Sequence, residues 1–195
     1  MDHLKLIALK DFPLIQVCDD LSSIIIESIT NNNLFIESGD VFVIAQKVIS
    51  KSENRYIDLS DVKASEEAIL LGADLQRDPR FIQIILNESN KIISTQKNVI
   101  IVEHKLGFIN INAGIDKSNI PSHDTRFLLL PDNPSKSAKQ IQSSISKSFN
   151  KDVSVIITDS MTRPYRSGVT NFALASSNIQ SLIDLKGETD IYGNI

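Results

Sequence analysis

The sequence predicts an α+β protein in which mixed sheets pack against helices. Apolar, β-rich runs such as "DVFVIAQKVIS" and "VSVII" are interspersed with amphipathic segments such as "PSKSAKQIQSSISKSF". These segments do not alternate steadily, as they would in a parallel β-α-β fold. No internal repeat, low-complexity linker or Pro/Gly-rich boundary divides the 195 residues, so we expect one domain over 1–195.

The first third of the chain predicts a strand, a helix and a second strand. Residues 4–9 form a short apolar run typical of a strand. Asp19 or Asp20 is expected to cap a helix that ends at residues 31–33 and has its apolar positions at helical spacing: Leu21, Ile24, Ile25 and Ile29. The run "DVFVIAQKVIS" predicts a long buried strand, with Lys47 and Lys51 at its far end.

The rest of the chain predicts two more helices in its middle, three strands, a long helix and a final strand. A helical stripe comprises Ala64, Ala68, Leu71 and Leu75, and the next helix starts with Asp78 as its cap and Pro79 in its first turn. "KIIST", "NVIIVEH" and "GFININAG" predict strands, the last one half-exposed because polar and apolar residues alternate. "PSKSAKQIQSSISKSF" predicts a helix with Ala138, Ile141 and Ile145 inward. "VSVII" predicts the final strand, since nothing after Gly168 is strongly periodic.

Composition excludes several classes of protein. The net charge of −4 disfavours sequence-independent binding of nucleic acid, which depends on neutralising phosphates. A single cysteine, Cys18, excludes an intrachain disulfide and is expected to be a packing residue. No apolar run approaches the ~18 residues of a membrane span, and the first residues do not resemble a signal peptide. We therefore expect a cytoplasmic protein without a membrane partner.

Common cofactor motifs are missing from the sequence. It contains neither G-x-x-x-x-G-K-[ST] nor G-x-G-x-x-G, so any phosphate would bind by other means. The three histidines are scattered, and none has a cysteine or another histidine at zinc-ligand spacing.

The segment "VSVIITDSMTRPYRSG" places Asp159 where a buried strand is expected to end. Hydroxyl side chains surround it, including Ser160, and oxygen ligands of this kind suit Mg²⁺ or Mn²⁺ shared with a substrate phosphate. Arg163 and Arg166 carry planar guanidinium groups that match phosphate or carboxylate oxygens. A solvated polar turn with surface arginines explains the same pattern equally well.

A second segment, "NINAGIDKSNIP", also ends a predicted strand with polar residues. Asp116 is a candidate second carboxylate for the same cation, and Asn119 is a candidate hydrogen-bond partner for a ligand. An ordinary Asp/Asn/Ser turn needs no ligand and remains the alternative. Lys47 and Lys51 would complement a triphosphate, although a solvated strand end is the commoner reason for such a pair.

Together these segments resemble one known family. "PLIQVCDDL", "VFVIAQKVISKSENR", "DPRFIQIILNES", "VEHKLGFININAGIDKSN", "LLLPDNPSKSAKQI", "VIITDSMTRPYRSG" and "LKGETDIYG" follow in this order. The chain is thereby similar, over nearly its whole length, to the coenzyme F-420:L-glutamate ligase (F-420-0 gamma-glutamyl ligase) family. "GFININAGIDKSN" and "TDSMTRPYRSG" are the most specific pieces.

The resemblance implies an enzyme that joins L-glutamate to the carboxylate of coenzyme F-420-0 and cleaves GTP to GDP and phosphate. It implies a family-specific α+β fold, an intertwined homodimer, two divalent cations (Mg²⁺ or Mn²⁺) and K⁺ as a further cofactor. By resemblance, the metal ligands are Asp116, Asp159 and Ser160. The matching nucleotide-binding positions are Pro13, Leu14, Ile15, Gln16, Gln46, Lys47, Lys51 and Asn119. From the chemistry, we expect Arg163 and Arg166 to neutralise charge during phosphoryl transfer.

The sequence departs from the family pattern at several points. Thr162 stands where the family has a glycine, and Ser160 stands where it has a threonine. Family members run about fifty residues further and carry another nucleotide- and metal-binding segment there, so we expect a C-terminally truncated domain. Two alternatives remain open: a γ-glutamyl ligase for another carboxylate acceptor, and a nucleotide- or cofactor-binding remnant without turnover.

Overall fold

A computed structural model of the chain describes residues 4–96, 99–120, 125–162, 165 and 167–195. Five helices occur in these residues: α1 (Leu21–Asn31), α2 (Gln46–Ser52), α3 (Glu66–Asp74), α4 (Pro79–Asn87) and α5 (Pro134–Phe149). Eight strands occur in them: β1 (Val41–Ala45), β2 (Tyr56–Asp58), β3 (Ser89–Gln96), β4 (Val99–His104), β5 (Ile109–Ile111), β6 (Arg126–Leu128), β7 (Ser154–Met161) and β8 (Thr170–Ser177). The predicted mixture of helices and several sheets is confirmed.

Local sequence signals set the helix starts as predicted. Asp20 caps α1 by accepting a hydrogen bond from the backbone N–H of Ser23, and Asp78 caps α4, whose first residue is Pro79. Two residues of the predicted stripe, Ala68 and Leu71, lie on α3, which Ser65 caps at its start and which ends just before Leu75. Ala138, Ile141 and Ile145 of α5 are buried, as expected from their spacing.

Three sheets divide the strands, with order β1-β7-β8, β2-β6 and β3-β4-β5. In the first sheet, β1 and β7 are parallel, and β7 and β8 are antiparallel. One apolar core lies between this sheet and helices α1 and α5. A second core is built around α3, α4 and β4. The isolated bridge between Asp116 and Leu128 extends the small β2-β6 sheet towards the segment that follows β5.

The predicted first strand is wrong. Residues 4–9 have no regular secondary structure, and Leu4 and Leu6 are 86% and 87% exposed. An apolar run becomes a strand only when another strand pairs with it, and in the described part of the chain none pairs with these residues. The opposite error occurs at β8, which pairs with β7 although its small and polar residues gave no periodic signal.

The strand β5 is shorter than predicted and presents its polar side to the protein. Asn110 is buried, whereas Ile109 is 46% exposed. Phe108 lies on the Asn110 side of the alternation, and its ring stacks on His104 with the centroids 5.1 Å apart. The aromatic contact therefore accounts for the orientation better than the two isoleucines do.

Membrane crossing has no support in the described residues. No helix among them is both long enough and apolar enough to span a bilayer.

Candidate functional site

Helix α2 begins at the residue after the end of β1, which corrects the predicted long strand. The run "DVFVIAQKVIS" switches from extended to helical between Ala45 and Gln46. The hydroxyl of Ser50 donates to Oε1 of Gln46 over 2.8 Å, one helical turn away, and Ile49 packs into the first core. Lys47 and Lys51 therefore lie on a helix, where a spacing of four residues places both on one face.

Asp159 lies inside β7 and not after its end as predicted, because β7 continues to Met161 along β8. It follows Thr158, which is the last residue of β7 paired with β1. Asp159 therefore stands beside the start of α2, where β1 no longer covers β7. Its Oδ1 accepts hydrogen bonds from the backbone N–H of Ser160 over 2.8 Å and from Nε2 of Gln46 over 3.5 Å.

Asp116 is positioned by an unusual turn after β5. Asn112, Ala113 and Gly114 have φ values of 49°, 54° and 67°, which places three successive residues in the left-handed region. A side chain at Gly114 would also approach Cδ1 of Leu130 to 3.0 Å. The backbone of Asp116 then pairs with Leu128 through two hydrogen bonds of 2.9 and 3.0 Å, which fixes the carboxylate on the side of α2.

Lys47 joins α2 to the turn at residues 116–119. Its Nζ lies 2.5 Å from Oδ2 of Asp116 and donates to Oγ of Ser118 over 2.8 Å. Lys51 donates to the backbone carbonyl of Asn119 over 2.7 Å. Four of the residues named from sequence thus meet at one place: Lys47, Lys51, Asp116 and Asn119.

The two aspartates have oppositely shifted pKa values. Burial alone would raise the pKa of Asp116, but hydrogen bonds from Lys47 and Ser118 outweigh it and the net pKa is lowered. Burial raises the pKa of Asp159, and the negative charge of Asp116 raises it further against the opposing effect of Lys47. Each carboxylate lies within the electrostatic field of the other. In the described residues, no lysine or arginine forms an ion pair with Asp159.

This donor set fits a divalent cation shared with a ligand. Among the described residues, no group of three or more His, Cys, Asp or Glu side chains could hold a metal ion by itself. Mg²⁺ commonly binds one or two carboxylates and completes its shell with water and substrate phosphate, which Asp116 and Asp159 would allow. The hydroxyl of Ser160 is exposed, and the pleat of β7 directs it to the face opposite Asp159.

The first predicted nucleotide-binding stretch lies next to the C-terminal end of α2. Ile15 is buried in the first core, Leu14 is 84% exposed, and the backbone N–H of Gln16 donates to Asp19 over 2.7 Å. A hydrogen bond from the N–H of Cys18 to the carbonyl of Ser52 holds this loop, which begins near Pro13, against the end of α2. Cys18 is exposed, so the expectation that it packs in the core is wrong.

Two residues of the site were missed or assigned another role. Ser118 binds Lys47 through both its hydroxyl and its carbonyl, and the Asp-x-Ser spacing of a polar turn was the available signal. Gln46 was assigned only to the nucleotide, yet its amide contacts Asp159. Arg163 and Arg166 lie outside the described residues.

Comparison with known proteins now adds to this geometry. The profile of the family described as F420-0:Gamma-glutamyl ligase matches residues 10–195. The chain belongs to this family. The resemblance carried by "GFININAGIDKSN" and "TDSMTRPYRSG" is thereby confirmed.

Named relatives of the family are similar over most of the chain. The Coenzyme F420:L-glutamate ligase of Methanocaldococcus jannaschii is 44% identical over 158 residues, which cover 81% of this chain and 62% of that protein. The protein of the same name from Methanothermobacter thermautotrophicus is 34% identical over 97% of this chain and 75% of its own length. The one from Methanopyrus kandleri is 37% identical over 90% of this chain and 67% of its own length. The match to the first of these therefore spans less than two thirds of its length.

Proposed function

We propose that this chain carries the nucleotide and metal site of a GTP-dependent ligase that attaches L-glutamate to the carboxylate of coenzyme F-420-0. One observation carries the proposal: Lys47, Asp116 and Asp159 come from three segments distant in sequence and meet at the start of α2. Family membership supplies the substrates. The geometry supports the phosphate chemistry, because cationic and metal-binding groups occur together.

The reaction needs an activated carboxylate. A carboxylate is a poor electrophile, so its oxygen first takes the γ-phosphoryl group of GTP, which leaves GDP and an acyl phosphate. The amine of glutamate then attacks the acyl carbon, an amide bond forms, and phosphate leaves with the acyl oxygen while the amine loses a proton. Negative charge is spread over the phosphoryl oxygens during the transfer, so its stabilisation is the main task of the protein.

The chain's own residues divide this task. Lys47 and Lys51 would bind the phosphates from one face of α2, while Asp116 and Asp159 would hold Mg²⁺ or Mn²⁺. When bound, the cation neutralises phosphate charge. K⁺ belongs to the proposal as a further part of the metal site, and Asn119 as a nucleotide contact. Ser160 would take part through its backbone, because its hydroxyl lies on the face of β7 opposite Asp159. The loop from Pro13 to Gln16 would contribute backbone groups, because the Ile15 side chain is buried.

We also propose a homodimer. The edge strand β1 leaves Val43 64% exposed, and Phe35 beyond α1 is 96% exposed. Exposed apolar side chains of this size favour association with another protein surface. Light scattering on the purified protein should give twice the chain mass, and a monomer at micromolar concentration would contradict the proposal.

The decisive experiment is incubation with GTP, Mn²⁺, labelled L-glutamate and coenzyme F-420-0. We expect glutamylated coenzyme and GDP in equal amounts for the first glutamate added. Product without Mn²⁺, or with ATP but not with GTP, would contradict the metal and nucleotide parts of the proposal. If GTP binds but is not hydrolysed with any of the carboxylate acceptors tested, this chain does not catalyse the reaction.

A further inference from the structure

Lys47 occupies a position lined by oxygen atoms. Its Nζ has three acceptors: Oδ2 of Asp116 at 2.5 Å, Oγ of Ser118 at 2.8 Å and the carbonyl of Ser118 at 3.1 Å. An ammonium group has three N–H donors, so all its hydrogen-bonding capacity is used here. Carboxylate, hydroxyl and carbonyl oxygens are also the ligands that Mg²⁺ and Mn²⁺ take in proteins.

The charges at this position are unequal. The positive charge of Lys47 acts on both Asp116 and Asp159, and within the described residues it is the only lysine or arginine that forms an ion pair with either. Within this part of the chain, one ammonium therefore leaves one negative charge of the two carboxylates without an ion-pair partner. A divalent cation would balance both, and burial strengthens this preference because screening by water is reduced.

The ammonium and a metal ion cannot use the same oxygen together. Oδ2 of Asp116 is already in contact with Nζ, and a cation placed there would be repelled by the lysine at short range. The side chain of Lys47 is 23% exposed and carries four methylene groups, so it has room and length to turn away from α2.

We propose that Lys47 and the divalent cation exclude each other at Asp116, and that the arriving metal–nucleotide complex moves the Lys47 ammonium from this carboxylate to a phosphate. This inference rests on the proposed function. Lys47 thereby keeps the carboxylates from holding a metal ion before the nucleotide is present. Metal and nucleotide then bind as a pair, and neither binds tightly alone.

Lys51 provides a matched control. It lies on the same face of α2, but its Nζ bonds to the backbone carbonyl of Asn119 and to no carboxylate among the described residues. Lys47→Met and Lys51→Met remove the same charge from the same helix. An effect of net charge alone would appear in both variants, whereas exclusion at Asp116 would appear only in the first.

The test measures Mn²⁺ binding without nucleotide, by the loss of the paramagnetic resonance signal of free Mn²⁺. We expect Lys47→Met to bind Mn²⁺ about five- to tenfold more tightly than the wild type, a typical size for coupling between two ligands. Lys51→Met should remain within about twofold of the wild type. Urea unfolding confirms that each variant is folded, and Lys47→Gln replaces Lys47→Met if the latter is not.

Further outcomes separate this inference from the proposed function. Unchanged or weaker Mn²⁺ binding by Lys47→Met would overturn the inference, and so would equal tightening in both variants. The wild type is also measured with a non-hydrolysable GTP analogue. If the wild type binds Mn²⁺ in the presence of the analogue, but the two lysine variants bind Mn²⁺ equally tightly without it, only the exclusion at Asp116 is wrong. If no Mn²⁺ binds even with the analogue, the proposed metal site is wrong as well.

Discussion

The turn at residues 116–119 and the exposed end of β7 each direct one aspartate to the same site. The two aspartates differ in the groups that balance their negative charge. Asp116 has a lysine at 2.5 Å and an N–H donor from Ser118 at 2.6 Å, and its pKa is lowered. Among the described residues, Asp159 accepts hydrogen bonds only from the Gln46 amide and its neighbour's N–H, and its pKa is raised by burial. One carboxylate is balanced by the protein, whereas the other is available for a ligand to balance.

This difference indicates how the site would divide its work. A balanced carboxylate stabilises the fold and fixes the turn in place. An unbalanced, partly buried carboxylate costs free energy in the unliganded protein, and a bound cation recovers that cost. In the unliganded protein, Asp116 therefore contributes to stability, whereas the charge of Asp159 is balanced only when a cation binds.

The largest expected effect is on catalysis, where both aspartates should matter alike. We expect Asp116→Asn and Asp159→Asn each to lower the GTP-dependent rate by about a hundredfold or more, because each loses a charge that the cation needs. The rate of glutamate incorporation measures this. Asp74→Asn on the exposed surface of α3 is the matched control and should keep full activity. A variant of either site aspartate with wild-type activity would remove that residue from the site.

A smaller effect, of opposite sign at the two positions, is expected on stability. Asp116→Asn leaves Lys47 without its carboxylate and should lower the free energy of unfolding by about 1 kcal/mol at pH 7. Asp159→Asn removes an unbalanced charge but keeps an acceptor for Gln46, and should raise that free energy by up to about 1 kcal/mol. Urea unfolding without metal measures both. Equal losses in the two variants would refute the contrast.

The smallest effect is the pH dependence of these two differences. The pKa of Asp116 is lowered from 3.8, so its stabilising contribution is present above that value and is lost only as the pH falls through the lower, folded-state pKa. The pKa of Asp159 is raised from 3.8, so the gain from Asp159→Asn should already fade as the pH drops towards 3.8. Across each of these two titrations, the difference in free energy of unfolding between variant and wild type should change by a few tenths of a kcal/mol.

At every pH, the free energy of unfolding of each variant must be compared with that of the wild type at the same pH. Burial lowers the pKa of His104 from 6.5 to about 4, so the unfolded chain takes up a proton before the folded protein does. All three proteins should therefore lose stability between these two values as the pH falls. The loss cancels when variants are compared at the same pH. If the two variant profiles faded in the same window, the assigned pKa directions would be wrong.

Sequence reasoning found the helices best, because their signals are local. Asp20 and the pair Asp78-Pro79 mark helix starts by direct contact with the first turn. The boundary at Ala45 was missed, because Val48 and Ile49 continue the apolar pattern of "VFVIA" after only two polar residues. In the structure, Ile49 packs into the core from a helix. The absent strand at residues 4–9 and the unpredicted strand β8 depended on pairing, which a single sequence does not reveal.

The site was predicted as a set of residues, and its arrangement was not. Asp116 and Asp159 were chosen because polar residues follow apolar runs. Both lie beside the start of α2 in the structure, although Asp159 lies within β7 and not after its end. The contact between Lys47 and Asp116 joins residues far apart in sequence, so no local pattern encodes it. The left-handed turn at 112–114 was hidden for a related reason: Ala113 gives no hint of a positive φ.

The parallel pairing of β1 with β7 determines how late in synthesis the residues of the site can come together. Among the described strands, β1 pairs only with β7, so residues 41–45 have no partner until residues 154–158 are made, and Gln46 meets Asp159 across 113 positions. Contacts of such long sequence separation form slowly, since a large loop must close first. A nascent chain that has emerged only as far as α5 contains Lys47, Lys51 and Asp116. It still lacks Asp159, the carboxylate that a metal ion would balance.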